Sequence, residues 1–156
     1  GIGEIMNAYL TYEASGNVFG LPVENVVEIM EYMTPDSQST NLSYLLGLVE
    51  YRGEVMPLID CGQKFGLSAI EVKEQTCTII VTVNKGDGQF KVALVVDKVS
   101  DVMTVEEEEK QYLETLYKPG YIGCTVKSGD ALVLVLDVDK VFSDTEIVEL
   151  KRVMSE

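Results

Sequence analysis

The stretch "GLVEYRGEVMPLID", residues 47–60, decides the fold. On both sides of Arg52-Gly53 the residues alternate between apolar and polar or run apolar, as they do in two strands joined by a tight turn. Residues 46–51 and 54–60 are therefore predicted to form a β-hairpin with Arg52 at its tip. A cation at this tip needs a reason, because the chain holds only 12 basic residues against 26 acidic ones.

Short strands of the same kind recur along the 156 residues. Turn residues separate ten segments with strand patterning, at 7–13, 17–22, 27–33, 46–51, 54–60, 76–83, 89–96, 100–105, 122–127 and 131–136. Many short strands are typical of barrels rather than of a parallel sheet. A single helical turn is predicted within "VENV" (23–26) and within "DKV" (97–99).

The end of the chain has the pattern of a helix. Ser143 and Glu146 have the spacing of a capping box, and Ile147, Leu150 and Met154 then recur at helical spacing. We therefore expect residues 143–156 to form a helix that covers a barrel face.

The chain also repeats itself. A shift of 73 residues places "FGLPVENVVEIM" (19–30) on "VALVVDKVSDVM" (92–103), and a shift of 76 places "LGLVEYRGEVMPLI" (46–59) on "IGCTVKSGDALVLV" (122–135). This pattern indicates two similar five-stranded units, at about 7–60 and 76–137, each too small to be stable alone. Under the second shift Arg52 falls on Ser128, so the first unit carries a cation that the second lacks.

Composition excludes several classes of partner. The formal charge of −14 repels nucleic acid and anionic lipid, and no apolar run approaches the roughly 18 residues of a membrane span. We expect neither nucleic-acid binding nor direct membrane insertion. The three cysteines are widely spaced and are expected to be reduced, buried thiols in a reducing compartment, with Cys61 the most exposed of them.

Catalytic chemistry has little to build on, because the chain has no histidine. Four consecutive carboxylates at 106–109 do not converge on a cation, and a solvated face or helix start explains them better. Asp137 and Asp139, with Asp97 or Asp101, leave open a small carboxylate-dependent enzyme or a metal-binding β-barrel. The favoured interpretation is that Asp137 caps a helical turn. We therefore predict no catalytic residue, no metal and no cofactor.

Residues 46–60 resemble the signature of the CheW-like chemotaxis adaptor family, Lys-Gly-Val-x-Asn-Leu-Arg-Gly-x-Val-x-Pro-x-x-Asp. "FGL" at 65–67 is similar to the usual continuation, and 19–30, "LVVDKVSDVM" (94–103) and "LVLVLDVDKVF" (132–142) are similar to further family segments. The resemblance covers nearly all of residues 7–142. One departure is Glu50-Tyr51, which stands where Asn-Leu is usual, so the surface that the hairpin presents to a partner is expected to be altered.

The resemblance implies an all-β domain at 7–142, with two SH3-like five-stranded barrels around a shared core and the helix at 143–156 packed on it. It implies a non-enzymatic scaffold that couples the cytoplasmic tip of a methyl-accepting chemoreceptor to the regulatory domain of a chemotaxis histidine kinase. Such a protein is cytoplasmic and reaches membrane receptor arrays through its partners.

The resemblance also implies protein-binding roles for Val26, Glu28, Arg52 and Gly53. Arg52 belongs to the receptor-facing region, and Val26 and Glu28 match positions associated with kinase or receptor coupling. We expect Glu28 and Arg52 to lie on one surface and to pair across it. The length favours a free-standing scaffold, and the alternative is a fragment of a receiver-fused coupling protein or of the kinase itself.

Overall fold

The computed structural model describes residues 7–86, 88–114 and 119–155. All ten predicted strands are present, together with an eleventh of two residues, β9. The strands are β1 Asn7–Ala14, β2 Asn17–Pro22, β3 Val26–Glu31, β4 Leu45–Tyr51, β5 Glu54–Asp60, β6 Cys77–Lys85, β7 Gly88–Val96, β8 Lys98–Val105, β9 Lys110–Gln111, β10 Ile122–Ser128 and β11 Ala131–Leu136. The helices are α1 Cys61–Lys64 and α2 Asp144–Met154.

The strands form two sheets, each curled around a small apolar interior. The five-stranded sheet has the order β3-β6-β7-β5-β4 and is called barrel one, and the six-stranded sheet has the order β8-β1-β2-β11-β10-β9 and is called barrel two. Barrel two exceeds the predicted five strands because β9 adds a short sixth. The hairpin β1–β2, which begins the first sequence repeat, thus lies in barrel two with strands of the second repeat. The hairpin β6–β7, which begins the second repeat, lies in barrel one with strands of the first repeat.

The two barrels have matching strand register. Leu45 pairs with Ile59 in barrel one and Ile122 with Leu136 in barrel two, so both partners move by 77 residues. The predicted shift of 76 is therefore one residue short for this hairpin. The register places Gly129, and not Ser128, at the position that corresponds to Arg52. The shift of 73 holds for β3 and β8. Val26 of β3 pairs with Val81 in barrel one, and Val99 of β8, 73 residues later, takes the equivalent place by pairing with Tyr12 in barrel two.

Three apolar clusters hold the fold together. The largest lies between the barrels and combines side chains from both sheets with the buried face of α2. Smaller clusters fill barrel two and barrel one separately. The shared core that the resemblance implied is therefore present, and each barrel depends on the other to bury one face of its sheet.

Two of the three predicted helical turns are present. One is Val138–Lys140, directly after Asp137, although the Asp137 side chain makes no capping hydrogen bond there. Val23–Asn25 forms one 3₁₀ turn, as predicted. The "DKV" segment does not, because Asp97 occupies only a bend and Lys98 already begins β8. The Asp97 carboxylate instead accepts a hydrogen bond from the backbone N–H of Ser15 at 2.7 Å, which holds the bend against the β1–β2 turn.

Helix α2 begins with the predicted capping box. Ser143 Oγ accepts from the backbone N–H of Glu146, and the Glu146 carboxylate accepts from the backbone N–H of Ser143. Ile147, Leu150 and Val153 are buried in the cluster between the barrels. The helix therefore lies on the domain along its apolar face.

Candidate protein-binding site

The tip of the β4–β5 hairpin is a two-residue turn. Tyr51 pairs with Glu54, so only Arg52 and Gly53 make the turn, with φ of +51° and +79°. Positive φ at both central residues is the type I′ geometry, which favours Asn-Gly. The left-handed backbone conformation of Arg52 destabilises the turn by about 1 kcal/mol, because Arg52 is not a glycine.

Arg52 and Glu28 lie on one surface, but they are not paired directly. The guanidinium carbon of Arg52 is 5.2 Å from the centroid of the Tyr51 ring, within the range of a cation–π contact. The Tyr51 hydroxyl donates a hydrogen bond to Glu28 Oε2 at 3.3 Å. Among the described residues, no ion pair involves Arg52. The expected Glu28–Arg52 pair is therefore replaced by contacts through Tyr51.

Strand β3 brings Val26 and Glu28 to the edge of barrel one. Val26 is half-buried and packs against the cluster between the barrels, so its side chain faces the core. The register shifts between Val26 and Glu28, and the neighbours Val27 and Ile29 are 40% and 42% exposed. The apolar surface of this edge therefore comes mainly from residues beside Val26.

The surface around the turn is acidic. Glu28, Glu50 and Glu54 are all exposed. Glu54 is bound to Lys91 at 2.9 Å, which neutralises one of the three carboxylates. Arg52 therefore stands as a cation without an ion-pair partner, in a negative surround with exposed apolar side chains.

Barrel two presents a related surface without a cation in the hairpin turn itself. Val102 and Leu132 are 59% and 50% exposed, and they correspond by register to Ile29 and to Val55, which is 47% exposed. At the tip, the equivalents of Tyr51 and Arg52 are Ser128 and Gly129. The two barrels thus share apolar exposed positions and differ in the charged tip.

Asp137 and Asp139, which were considered for catalysis, are engaged in structural contacts. Asp137 pairs with Lys140 at 3.6 Å, and Asp139 accepts from the backbone N–H of Asn84 at 2.8 Å. Within residues 7–86, 88–114 and 119–155, no group of three Cys, Asp or Glu residues is arranged to hold a metal ion. The acidic run forms an exposed 3₁₀ turn at Glu107–Glu109.

The expectation that Cys61 is the most exposed cysteine is wrong. Its side chain is fully buried beside Tyr12, whereas Cys77 is only half-buried. Burial raises the pKa of the Cys61 thiol to about 12, so a thiolate nucleophile is not available there at neutral pH. Within the described residues, no disulfide bond joins any two of Cys61, Cys77 and Cys124.

Sequence reasoning missed Tyr51, Ile29 and Val55 as parts of this surface. Tyr51 was noted only as a departure from the family pattern, and its contact with Glu28 joins residues 23 apart in sequence. The sequence did show a run of polar residues around the turn. It did not show that β3 and β4 would be the two edge strands of one sheet.

The described residues thus form two barrels with exposed apolar positions at corresponding places. The CheW-like domain model matches residues 8–146. The chain therefore belongs to the CheW-like domain family, a non-enzymatic adaptor family.

Several proteins that are similar to this chain are named CheW. The chain is 25% identical to the chemotaxis protein CheW of Klebsiella aerogenes over 89% of this chain and 83% of that protein. It is also 25% identical to the CheW of Treponema pallidum, over 90% and 85%. The solved structure of the scaffolding protein TtCheW from Thermoanaerobacter tengcongensis has the same fold, with a TM-score of 0.78, 18% identity and coverage of 89% and 94%.

Among the residues that the structure describes, none of the helices has the length and apolar character needed to cross a membrane.

Proposed function

We propose that this chain is a non-enzymatic chemotaxis scaffold that couples chemoreceptors to a histidine kinase. The observation that carries the proposal is the match of the CheW-like domain model to residues 8–146. Its partners are the cytoplasmic tip of a methyl-accepting chemoreceptor and the regulatory domain of the kinase. The protein acts in the cytoplasm and reaches the membrane receptor arrays through these partners.

Arg52 and Gly53 form the receptor-binding part of the surface. The turn exposes both residues, and the guanidinium forms no ion pair with a described residue. An unpaired guanidinium recognises carboxylates or backbone carbonyls in a planar, directional way that lysine does not reproduce. Glu28 belongs to the kinase-coupling part, through the exposed side of the edge strand β3, and Val26 supports this edge from the core side.

A second candidate is the adaptor portion of a longer coupling protein. The chain is 25% identical to the chemotaxis protein CheV3 of Helicobacter pylori over 85% of this chain but only 43% of that protein. A domain of this kind therefore also occurs within a longer chemotaxis protein. Both candidates assign the same binding surfaces to the domain.

Arg52→Ala tests the receptor-binding assignment. The change removes an exposed side chain, so we expect the free energy of unfolding to change by less than about 0.5 kcal/mol. Binding to a chemoreceptor cytoplasmic fragment should weaken by about 2 kcal/mol, roughly 30-fold, if Arg52 is an interface hot spot. The measurement is titration calorimetry of wild type and variant, with urea unfolding in parallel.

Lys127→Ala is the matched control, because Lys127 is also an exposed cation beside a hairpin tip, but in barrel two. We expect it to bind the receptor fragment as wild type does. Wild-type affinity in Arg52→Ala, or equal losses in the two variants, would remove Arg52 from the receptor interface.

A further inference from the structure

Tyr51 lies between the two charged residues of the site and touches both. It is the last residue of β4, it is half-buried, and it packs against the cluster inside barrel one. Its hydroxyl donates to Glu28 on β3, which closes barrel one at the two edge strands of the sheet. Its ring makes a cation–π contact with the guanidinium of Arg52.

An arginine at a hairpin tip has many rotamers unless something holds it, and ordering that side chain on binding costs affinity. No ion pair with a described residue fixes Arg52. The Tyr51 ring does so, because it is anchored on one side by apolar packing and at its hydroxyl by Glu28. This cation–π contact pre-orders the guanidinium before a partner arrives.

We propose that Tyr51 is the positioning residue of this surface: its ring pre-orients the Arg52 guanidinium, and Glu28 acts by holding that ring. The effect on a partner rests on the proposed receptor-binding function, whereas the positioning itself is a property of the free protein. Glu28 therefore affects docking indirectly, through Tyr51, and not through a charge pair with Arg52.

The arrangement is specific to barrel one. By strand register, Ser128, Gly129 and Asp101 of barrel two stand where barrel one has Tyr51, Arg52 and Glu28. Neither an aromatic ring nor a cation occupies these three positions, and the nearest cation in the hairpin, Lys127, lies one residue before Ser128. The pre-ordered guanidinium thus distinguishes two otherwise similar barrels. A partner that recognises this group therefore binds barrel one alone.

The test compares Tyr51→Leu, which removes the ring and the hydroxyl, with Tyr51→Phe, which removes only the hydroxyl. Tyr112→Leu is the control, because Tyr112 is exposed and its hydroxyl donates to Glu107 at 2.5 Å, far from the Arg52 turn in sequence. One readout is the NMR signal of the Arg52 side-chain Nε–H in the free protein. The other is affinity for a chemoreceptor cytoplasmic fragment, measured also in the double variant Tyr51→Leu with Arg52→Ala.

We expect Tyr51→Leu to move the Arg52 signal to its solvent-exposed position and to weaken receptor binding about fivefold. Tyr51→Phe should keep most of the shift and lose about twofold, and Tyr112→Leu should change neither readout. Because Tyr51 acts through Arg52, the double variant should bind no more weakly than Arg52→Ala alone.

An unchanged Arg52 signal in Tyr51→Leu would overturn the proposal, as would losses that add in the double variant. If Tyr51→Leu proves unstable in urea unfolding, Tyr51→Phe combined with Arg52→Ala provides the same additivity test. If Arg52→Ala binds the receptor fragment as wild type does, the receptor-binding assignment fails. The positioning of the guanidinium by Tyr51 is then decided by the NMR signal alone.

Discussion

Thr78 lies inside barrel one, where its strand neighbours are Met30 and Val95. Its side chain is fully buried, and its hydroxyl has no hydrogen-bond partner in the described part of the chain. Thr11 in barrel two shows the opposite case. Its hydroxyl donates to the backbone carbonyl of Asp101 at 2.8 Å and accepts from the Asp101 N–H at 3.1 Å, which fastens the irregular part of β8.

Thr78→Val is expected to stabilise the protein by about 1 kcal/mol, because it replaces an unsatisfied buried hydroxyl with a methyl group of similar shape. Thr11→Val is the matched control and should destabilise by about 1–2 kcal/mol, since it leaves both Asp101 backbone groups without their partner. Urea unfolding of the two variants measures both effects. Destabilisation by Thr78→Val would mean that its hydroxyl is hydrogen-bonded in solution.

At the residue scale, the sequence predicted the identity of the turn residues but not their contacts. Gly53 follows from the turn geometry, and Arg52 stood out because cations are scarce. The Tyr51–Glu28 contact was not predictable, because it depends on β3 and β4 meeting as the two edges of one barrel. Cys61 was misplaced for a similar reason, since Tyr12 from a distant strand covers it.

Helix α2 is fastened to the domain at its first turn by Glu146. Besides its part in the capping box, Glu146 accepts from the Tyr44 hydroxyl and pairs with Lys64 at 3.4 Å. The Lys64 side chain is only 8% exposed, and its ammonium lies within 6.0 Å of four aromatic rings. The helix is thus joined to α1 and to the start of β4 through one carboxylate.

The pKa of Glu146 is lowered. Burial acts against ionisation, but the Ser143 N–H, the Tyr44 hydroxyl and Lys64 together outweigh it. A lowered folded-state pKa means that the ionised carboxylate stabilises the fold above the unfolded-state pKa of about 4.3. That stabilisation is lost as the pH falls from there through the folded-state pKa.

Glu146→Gln should therefore destabilise the protein by about 1–2 kcal/mol at pH 7. The difference from wild type should shrink as the pH falls below about 4.3, because protonation removes the same charge from wild type. Urea unfolding between pH 7 and pH 3 measures this. Asp144→Asn, an exposed change in the same helical turn, is the control and should have little effect. A difference that stays constant across this range would contradict the charged role of Glu146.

The edge strand β3 allows the exposed and the core-facing sides to be separated. Ile29→Asp places a charge on an exposed side chain, so we expect the unfolding free energy to change by less than about 0.5 kcal/mol. Binding to the kinase regulatory domain should weaken at least tenfold, about 1.4 kcal/mol. Val26→Asp places a charge against the core and should cost about 2–3 kcal/mol of stability.

Val102→Asp is the control for this edge, because Val102 is the barrel two counterpart of Ile29. We expect it to keep wild-type stability and kinase affinity. If Val102→Asp loses kinase binding and Ile29→Asp keeps it, the kinase surface lies on barrel two and the assignment to β3 is wrong.

At the element scale, the sequence predicted the strands well because turn residues bound them sharply. Residues 17–22, 54–60 and 131–136 match their strands at both ends. The strand β9 was missed because two residues are too few to show the apolar–polar alternation that predicts a strand. The helical turn expected at 97–99 was wrong because the Asp97 side chain is used by Ser15, a contact that local pattern does not encode.

The whole molecule is built from two repeats that exchange their first hairpins. Strand β11 pairs with β2 in parallel, just as β5 pairs with β7, so each barrel contains segments of both repeats. The repeat was readable from the sequence, but the exchange was not. Equivalent strands carry equivalent patterns, so a pattern alone cannot say which copy of a partner strand is used. Because of this exchange, we expect the domain to unfold as one cooperative unit around its shared core.

The same architecture gives a scaffold two distinct faces. The barrels share exposed apolar positions, but only barrel one has the Arg52 tip, so the molecule is asymmetric for binding although it is symmetric in fold. An asymmetric domain can hold two different proteins at once. That simultaneous binding, rather than either contact alone, is what the proposed coupling function requires.

The most direct test is titration calorimetry of the kinase regulatory domain into this protein, first free and then saturated with a chemoreceptor cytoplasmic fragment. We predict binding in both experiments with dissociation constants that agree within about threefold, and a ternary complex in size-exclusion chromatography with light scattering. Failure to bind either partner, or loss of kinase binding once the receptor fragment is present, would contradict the account of this chain as a coupling scaffold.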